Sequence, residues 1–189
     1  MIKKLIETEQ FALGIDPGLR LTGIALIRLD CYIQDEKVKP IKFQLIETRT
    51  IQQKNHKEVC DVLDLIDRYP PVNIYCEESD GKLKREVEKK LNRVSGGWEL
   101  SCHMMGRKFE FIKRSQIAYR LILNPFYKKE KLKRSIVNNG IATMEQLKGT
   151  STHEVDAIGI ATAGALRHLD YKLDFNKIIP SENALFSVC

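Results

Sequence analysis

Apolar and polar positions change period several times along the chain, and each change marks an element. Phe11 to Ile15 is apolar throughout and runs into Asp16-Pro17-Gly18, a strand entering a tight turn. Thr22 to Leu29 is β-rich and follows at once, so the two strands are expected to form an antiparallel hairpin. From Ile41 to Ile51 the pattern alternates, with Ile41, Phe43 and Leu45 set against Lys42 and Gln44, as in a strand with one buried and one wet face. The period then lengthens. Val59, Val62, Leu63 and Ile66 recur at helical spacing until Tyr69-Pro70-Pro71, where a helix cannot continue. A fourth strand, Val72 to Cys76, is short and apolar and delivers Glu77 and Glu78 at its carboxyl end.

Beyond it the pattern predicts a basic helix near Lys82 to Asn92, a break at Gly96-Gly97 with a second helix after it, a strand near Phe109 to Ile112, and a helix from Ser115. Asn124 to Gly149 shows no clear period, although Asn138-Asn139-Gly140 marks a turn. Ser151-Thr152-His153-Glu154 matches a capping box, with Ser151 as cap and Glu154 reaching back to it. The helix it opens runs to about His168 and is so rich in Ala, Ile and Gly that it must pack closely, most simply on the sheet. The last twenty residues read as a docked tail. The order β, β, β, α, β, α, β, α predicts an α/β protein: a five-stranded mixed sheet, its first three strands antiparallel, with helices on both faces.

Length and composition narrow the possibilities. With 189 residues, 43% hydrophobic and 30% charged, the chain is expected to form one domain over residues 1–189 rather than a disordered tail or coiled coil. A two-lobed sugar-kinase or actin-type ATPase needs a pair of α/β domains and does not fit this length. No stretch approaches the roughly 20 apolar residues of a membrane span. The start lacks the apolar core of a secretion signal, so a cytoplasmic location is expected, nucleoid-associated or in a phage-infected cell, with no membrane partner. Five cysteines without a Cys-x-x-Cys pair suggest reduced thiols, mostly buried.

The net charge of +6 is unevenly spread. Between residues 82 and 134 sixteen Lys or Arg stand against five acids, while the rest of the chain holds fifteen against twenty. Two successive basic clusters with few compensating acids point to a polyanion, and nucleic acid is the expected partner. Phe109, Phe111, Tyr119, Phe126 and Tyr127 lie among these charges, most as core and one or two able to stack on an unpaired base.

Three acids interrupt or end apolar elements, where a charge is costly without a partner. Asp16 ends the first strand, Glu77 ends the fourth, and Asp156 sits one turn inside the last helix, with His153 three residues earlier on the same face. Of the paired glutamates, Glu77 is chosen as the inward one because strand alternation gives it the face of Tyr75, although the sequence leaves Glu78 open. Gathered carboxylates repel one another, and a divalent cation is the usual remedy; all-oxygen ligands suit Mg²⁺. Two such ions about 4 Å apart can activate a water and stabilise the leaving oxygen of a phosphodiester.

Gly14-Ile15-Asp16-Pro17-Gly18 followed by Thr22-Gly23-Ile24-Ala25, a glutamate closing the fourth strand, and His153-Glu154-Val155-Asp156-Ala157 together resemble the RuvC family of Holliday-junction resolvases over roughly residues 11 to 168. The resemblance implies a ribonuclease H-like fold, with Asp16, Glu77, His153 and Asp156 at the catalytic and metal positions, two Mg²⁺ ions that Mn²⁺ replaces, a homodimer, branched DNA as partner, and cleavage leaving a 5′ phosphate. Some relatives carry an acid where this chain has His153. Protonation of that imidazole would oppose metal binding, so activity is expected to fall at mildly acid pH. Lys82, Lys84, Arg85, Lys113, Arg114 and Arg120 are the candidate DNA contacts, chosen from charge. The helix of residues 82–93 is a candidate for the dimer face or for DNA. Two features depart from the family: Glu78-Ser79-Asp80 stands where an aromatic wedge often follows the glutamate, and Lys113 to Ala118 lacks an expected Pro and Lys.

A structure-selective endodeoxyribonuclease is the reading these features favour. The alternatives are another ribonuclease H-like nuclease, acting on RNA–DNA hybrids, flaps or phage DNA, and a non-catalytic branched-DNA-binding protein of the same fold. A nucleotide-binding ATPase shares the Gly14 to Gly18 pattern but is disfavoured by length.

Overall fold

Backbone pairing carries the first three strands well beyond their apolar centres. In the computed structural model, which describes residues 7–34, 37–69, 72–79, 81, 83–121, 123, 124 and 126–168, β1 spans Glu7–Asp16, β2 Leu21–Gln34 and β3 Lys37–Gln52. Polar ends such as Glu7 to Gln10 carry no hydrophobic signal. They are strand because β1 pairs antiparallel with β2 from Glu7 opposite Tyr32 to Asp16 opposite Gly23. Next come α1 (His56–Arg68), β4 (Val72–Glu77), α2 (Arg85–Met104), β5 (Phe109–Ile112), α3 (Arg114–Arg120), α4 (Lys129–Asn138) and α5 (Thr152–His168). The strand order is β3-β2-β1-β4-β5. β2 meets β1 and β3 antiparallel, while β4 is parallel to both β1 and β5, giving the expected five-stranded mixed sheet. Lys82, Pro70, Pro71, Cys189 and the expected C-terminal tail lie outside the described residues.

Alternation along the strands divides the interior into two cores. Leu13, Ile15, Ile24, Leu26, Ile74 and Cys76 pack with Val62 and Leu65 of α1 and with Trp98 and Cys102 of α2. Ala12, Ala25, Ile27 and Tyr75 point the other way, into a core completed by α3, α4 and α5. Helices therefore cover both faces. Cys31, Cys76 and Cys102 are buried free thiols, whereas Cys60 is exposed. Among the described residues no helix is long and apolar enough to cross a membrane.

One expectation is corrected. Gly96-Gly97 does not break a helix, because α2 runs unbroken from Arg85 to Met104. Buried Ser95, Trp98 and Cys102 hold the segment on either side against the sheet, so tertiary packing outweighs the roughly 1 kcal/mol per residue that glycine costs a helix. Asn124 to Gly149, without a readable period, contains α4, whose Leu132 and Ile136 are fully buried.

The small residues of α5 let it lie directly on the sheet. A Cβ on Gly14 would stand 2.0 Å from the carbonyl oxygen of Ala157 and 2.6 Å from the nitrogen of Ala161. One on Gly23 would stand 2.1 Å from the carbonyl oxygen of His153. Helix and strands thus touch backbone to backbone. Gly14→Ala is expected to lower stability by about 3 kcal/mol or more, read as a lower urea midpoint or loss of folded protein. In contrast, added Cβ atoms at Gly96 and Gly97 meet nothing within 4 Å. Gly96→Ala or Gly97→Ala is expected to raise stability by about 0.5–1 kcal/mol and the melting temperature by about 2–4 °C.

Candidate active site

The parallel register of β1 and β4 sets Ile15 beside Cys76, so Asp16 and Glu77 emerge side by side at the carboxyl ends of adjacent strands. Asp16 continues the face of Ala12 and Gly14, and Glu77 that of Tyr75, so both turn toward α5. Backbone contact at Gly23 fixes the first turn of α5 above them. His153 Nδ1 then lies 2.6 Å from Asp16 Oδ2. Asp156 comes from the next turn of the same helix.

Three hydroxyl and carboxylate contacts anchor that turn. Ser151 Oγ accepts from the Glu154 backbone N–H at 3.1 Å, as a helix cap should. The Glu154 carboxylate, expected to reach back to Ser151, accepts instead from Thr50 Oγ1 of β3 at 2.7 Å, and Thr50 Oγ1 lies 2.6 Å from Ser151 Oγ. Half of the expected capping box is thus replaced by a tie across to the sheet.

The carboxylates are under electrostatic strain. Asp16, only 8% exposed, has its pKa raised, first by burial and also by the charge of Asp156, against the hydrogen bond and charge of His153 and the charge of Lys129. Glu77 is pushed up to about 7, first by burial, then by Asp16 and Asp156, with Arg114 opposing and a hydrogen bond to Asp16 adding to the rise. Glu77 therefore titrates well above the range of an ordinary glutamate. Glu78 is exposed at the rim, which agrees with the choice of Glu77 as the inward acid.

Two residues that sequence reasoning did not single out as site residues complete the arrangement. Lys129 Nζ lies 2.5 Å from Asp156 Oδ2 at the start of α4. Tyr127, almost fully buried, places its ring 5.0 Å beneath the Arg114 guanidinium, and its own pKa is raised, chiefly by burial. Nothing in the run of Lys128, Lys129, Lys131 and Lys133 distinguishes one lysine from the next. Only the fold selects Lys129.

Asp16, Pro17, Glu77, Glu78, Leu83 and Arg114 line a cleft of about 180 Å³. Among the candidate DNA contacts, Arg114 is in this cleft and Lys113 is exposed immediately before it. Lys84 and Arg85 are exposed at the start of α2, which lends Leu91 to the same cleft. Arg120 lies elsewhere, in a separate cleft between α3 and α5. No set of three or more His, Cys, Asp or Glu among the described residues stands ready-gathered as metal ligands. The carboxylates are close enough to perturb one another, yet Asp16 is drawn to His153 and Asp156 to Lys129. A cation would have to compete with those partners. By donor chemistry the set suits a hard divalent ion, since oxygen donors predominate and burial already disfavours uncompensated charge.

No family model matches the sequence, and no curated protein matches it. Solved structures do. A Thermus thermophilus RuvC structure superposes with a TM-score of 0.67 at 17% identity, covering 85% of this chain and 97% of that one. T. thermophilus RuvC in complex with a Holliday junction substrate superposes with a TM-score of 0.66 at 17% identity, covering 84% and 95%. Over most of its length the chain therefore has the ribonuclease H-like fold of those RuvC structures.

Proposed function

We propose that this chain is a divalent-metal-dependent endodeoxyribonuclease that resolves four-way DNA junctions as a homodimer. The observation that carries the reading is that Asp16 and Glu77, from separate strands, share one cleft with Arg114 while the charge of Asp156 on α5 acts on both, with Glu77 raised to about 7. A purely structural acid gains nothing from such crowding. Phosphate binding alone would be weakened by it, since each uncompensated carboxylate repels the backbone of DNA. The likeness to a RuvC that was solved with a Holliday junction substrate supports branched DNA as the substrate.

In this reading Asp16, Glu77 and Asp156 would hold Mg²⁺, which Mn²⁺ would replace. Bound there, the ions supply an activated water and neutralise the leaving oxygen of the phosphodiester. The protein's own groups do the rest. His153, fixed by its Nδ1 contact to Asp16, turns its other ring nitrogen to orient a water or complete the metal set. Arg114, held over Tyr127, faces the cleft and takes a non-bridging phosphate oxygen. Lys129 neutralises Asp156 until a cation arrives and can then turn to the phosphate. Homodimerisation follows from the substrate: a four-way junction is two-fold symmetric and needs two matched cuts, which a C2 pair of sites provides. Exposed Leu100 and Met104 on α2 offer apolar surface to such a pair.

Asp16→Asn is expected to reduce cleavage of a synthetic four-way junction by about a thousandfold or more while leaving the protein folded, checked by single-turnover assay and thermal melting. Cleavage at the wild-type rate by Asp16→Asn, or intact junctions with wild type plus Mg²⁺ or Mn²⁺, would reject the reading. A panel of hybrids, flaps and junctions separates it from the related nuclease activities.

The raised carboxylates also predict how metal and pH interact. Glu77 has a folded pKa of about 7 against an ordinary 4.5, and Asp16 is shifted the same way. These groups favour the folded state while protonated, and that contribution is lost as pH rises through about 7. Metal-free protein is therefore expected to melt lower at about pH 8 than at about pH 5.5, and added Mg²⁺ to raise the melting temperature more at the higher pH. Differential scanning fluorimetry at matched ionic strength reads both.

A further inference from the structure

A second cleft, of about 240 Å³, lies between α3 and the carboxyl half of α5, with Ser115, Gln116, Tyr119, Arg120 and Arg167 on its walls. The end of β5 and the start of α3 connect it to the first. Ile112, also in its lining, ends β5 opposite Glu77, and Arg114, two residues on, belongs to the catalytic cleft. We propose that this cleft is a metal-independent phosphate- and base-binding station for the DNA strand that also occupies the catalytic cleft. The proposal rests on the nuclease reading for its substrate and assigns that substrate a second point of attachment.

Charge separates the two clefts. Among the described residues, Asp16, Glu77 and Glu78 line the first alongside Arg114, whereas no acid lines the second. Arg167 is held at its rim by the Phe111 carbonyl, 3.4 Å away, and by Glu110 at 3.5 Å, with its side chain 43% exposed. Glu110 also pairs with Lys108 at 2.8 Å, so one carboxylate serves two cations beside this cleft. Arginine forks suit phosphate oxygens, and none of these groups needs a cation to bind them. Tyr119 adds a different chemistry. The residue is 54% exposed and its ring carries the Arg120 guanidinium 5.5 Å from its centroid, an aromatic–arginine platform of the kind on which an unpaired base stacks.

Spacing suits one strand across both clefts. From Asp156 to Ala163, which lines the second cleft, α5 advances about 10 Å, and to Arg167 about 16 Å, at ~1.5 Å per residue. A DNA strand advances about 3.4 Å per nucleotide along its axis, so the station would hold the strand about three to five nucleotides from the scissile phosphate.

The test is fluorescence anisotropy of the full chain with labelled single-stranded DNA in chelator, where cleavage cannot occur. Replacing both arginines (Arg120→Gln with Arg167→Gln) is expected to weaken binding about tenfold. It should also lower the slope of log affinity against log salt by about 1.4, the value for two lost phosphate contacts on a single strand. Tyr119→Ala is expected to weaken binding about fivefold or more with the slope unchanged. The pair Arg120→Lys with Arg167→Lys, which keeps the charge, should retain the slope and so separates lost contacts from misfolding. Wild-type affinity and salt slope in the folded double glutamine variant would overturn the proposal. If the binding effects appear but junctions are never cut, the nuclease reading fails while the station stands. If junctions are cut and the effects are missing, only the station is lost.

Discussion

Everything that converges in this molecule depends on how closely α5 can approach β1 and β2. Gly14 and Gly23 leave the strand backbones bare where Ala157, Ala161 and His153 present theirs, at separations that leave no room for even one methyl group. At an ordinary helix-to-sheet distance, His153 would not meet the end of β1, and Asp156 would not feel Asp16 and Glu77. The same demand shapes the rest of α5. Gly164 admits the ring of Tyr75, with a would-be Cβ only 2.2 Å from it, so the far end of the helix is as tightly seated as the near end. A hydrophobic helix of larger side chains would be equally buried but would stand off the sheet, and packing and chemistry would separate.

Close approach brings charges together, and the local structure distributes the resulting cost. Asp16 leans on His153, Asp156 on Lys129, and Glu77 keeps its proton up to about pH 7 while sharing a hydrogen bond with Asp16. Each carboxylate thus has a different way of avoiding an uncompensated buried charge. None of these partners is so deeply buried that it could not yield. Lys129 is 39% exposed at the side chain and His153 35%, so neither partner is sealed from solvent. The acids thus have internal partners with which, under the proposed function, a cation would have to compete.

Legibility from sequence follows the same physics. The strand centres, the alternation that places Glu77 rather than Glu78 on the α5 face, and the small-residue helix beginning at Thr152 are local properties, and periodicity reports them well. The long polar ends of β1, β2 and β3 are not local. They are strand because a neighbour supplies hydrogen bonds, which no pattern within Glu7 to Gln10 could announce. Continuity through Gly96-Gly97 is likewise imposed by Trp98 and Cys102 against the sheet. Lys129 and Tyr127 sit in the stretch without a readable period, and their importance comes from spatial neighbours on β4, α3 and α5 rather than from any motif. Sequence located the acids because charge in an apolar element is conspicuous. It missed the lysine because charge in a basic run is not.

That asymmetry bears on how the basic region and the acidic cleft work together. A strongly positive middle third attracts any polyanion and accelerates encounter, but by itself it would hold DNA without regard to which phosphate is reached. The acids reverse the local sign at one point: among the described residues, Asp16, Glu77 and Glu78 share a cleft with one cation, Arg114. A phosphate is welcome there only when additional positive charge accompanies it. Under the proposed function, binding along the flanks and admission to the centre would be governed by different ions, monovalent salt for the first and a divalent cation for the second. A protein working this way would settle on a strand reversibly and commit to one phosphodiester only when the centre is charged for it, which is the division of labour a structure-selective nuclease requires.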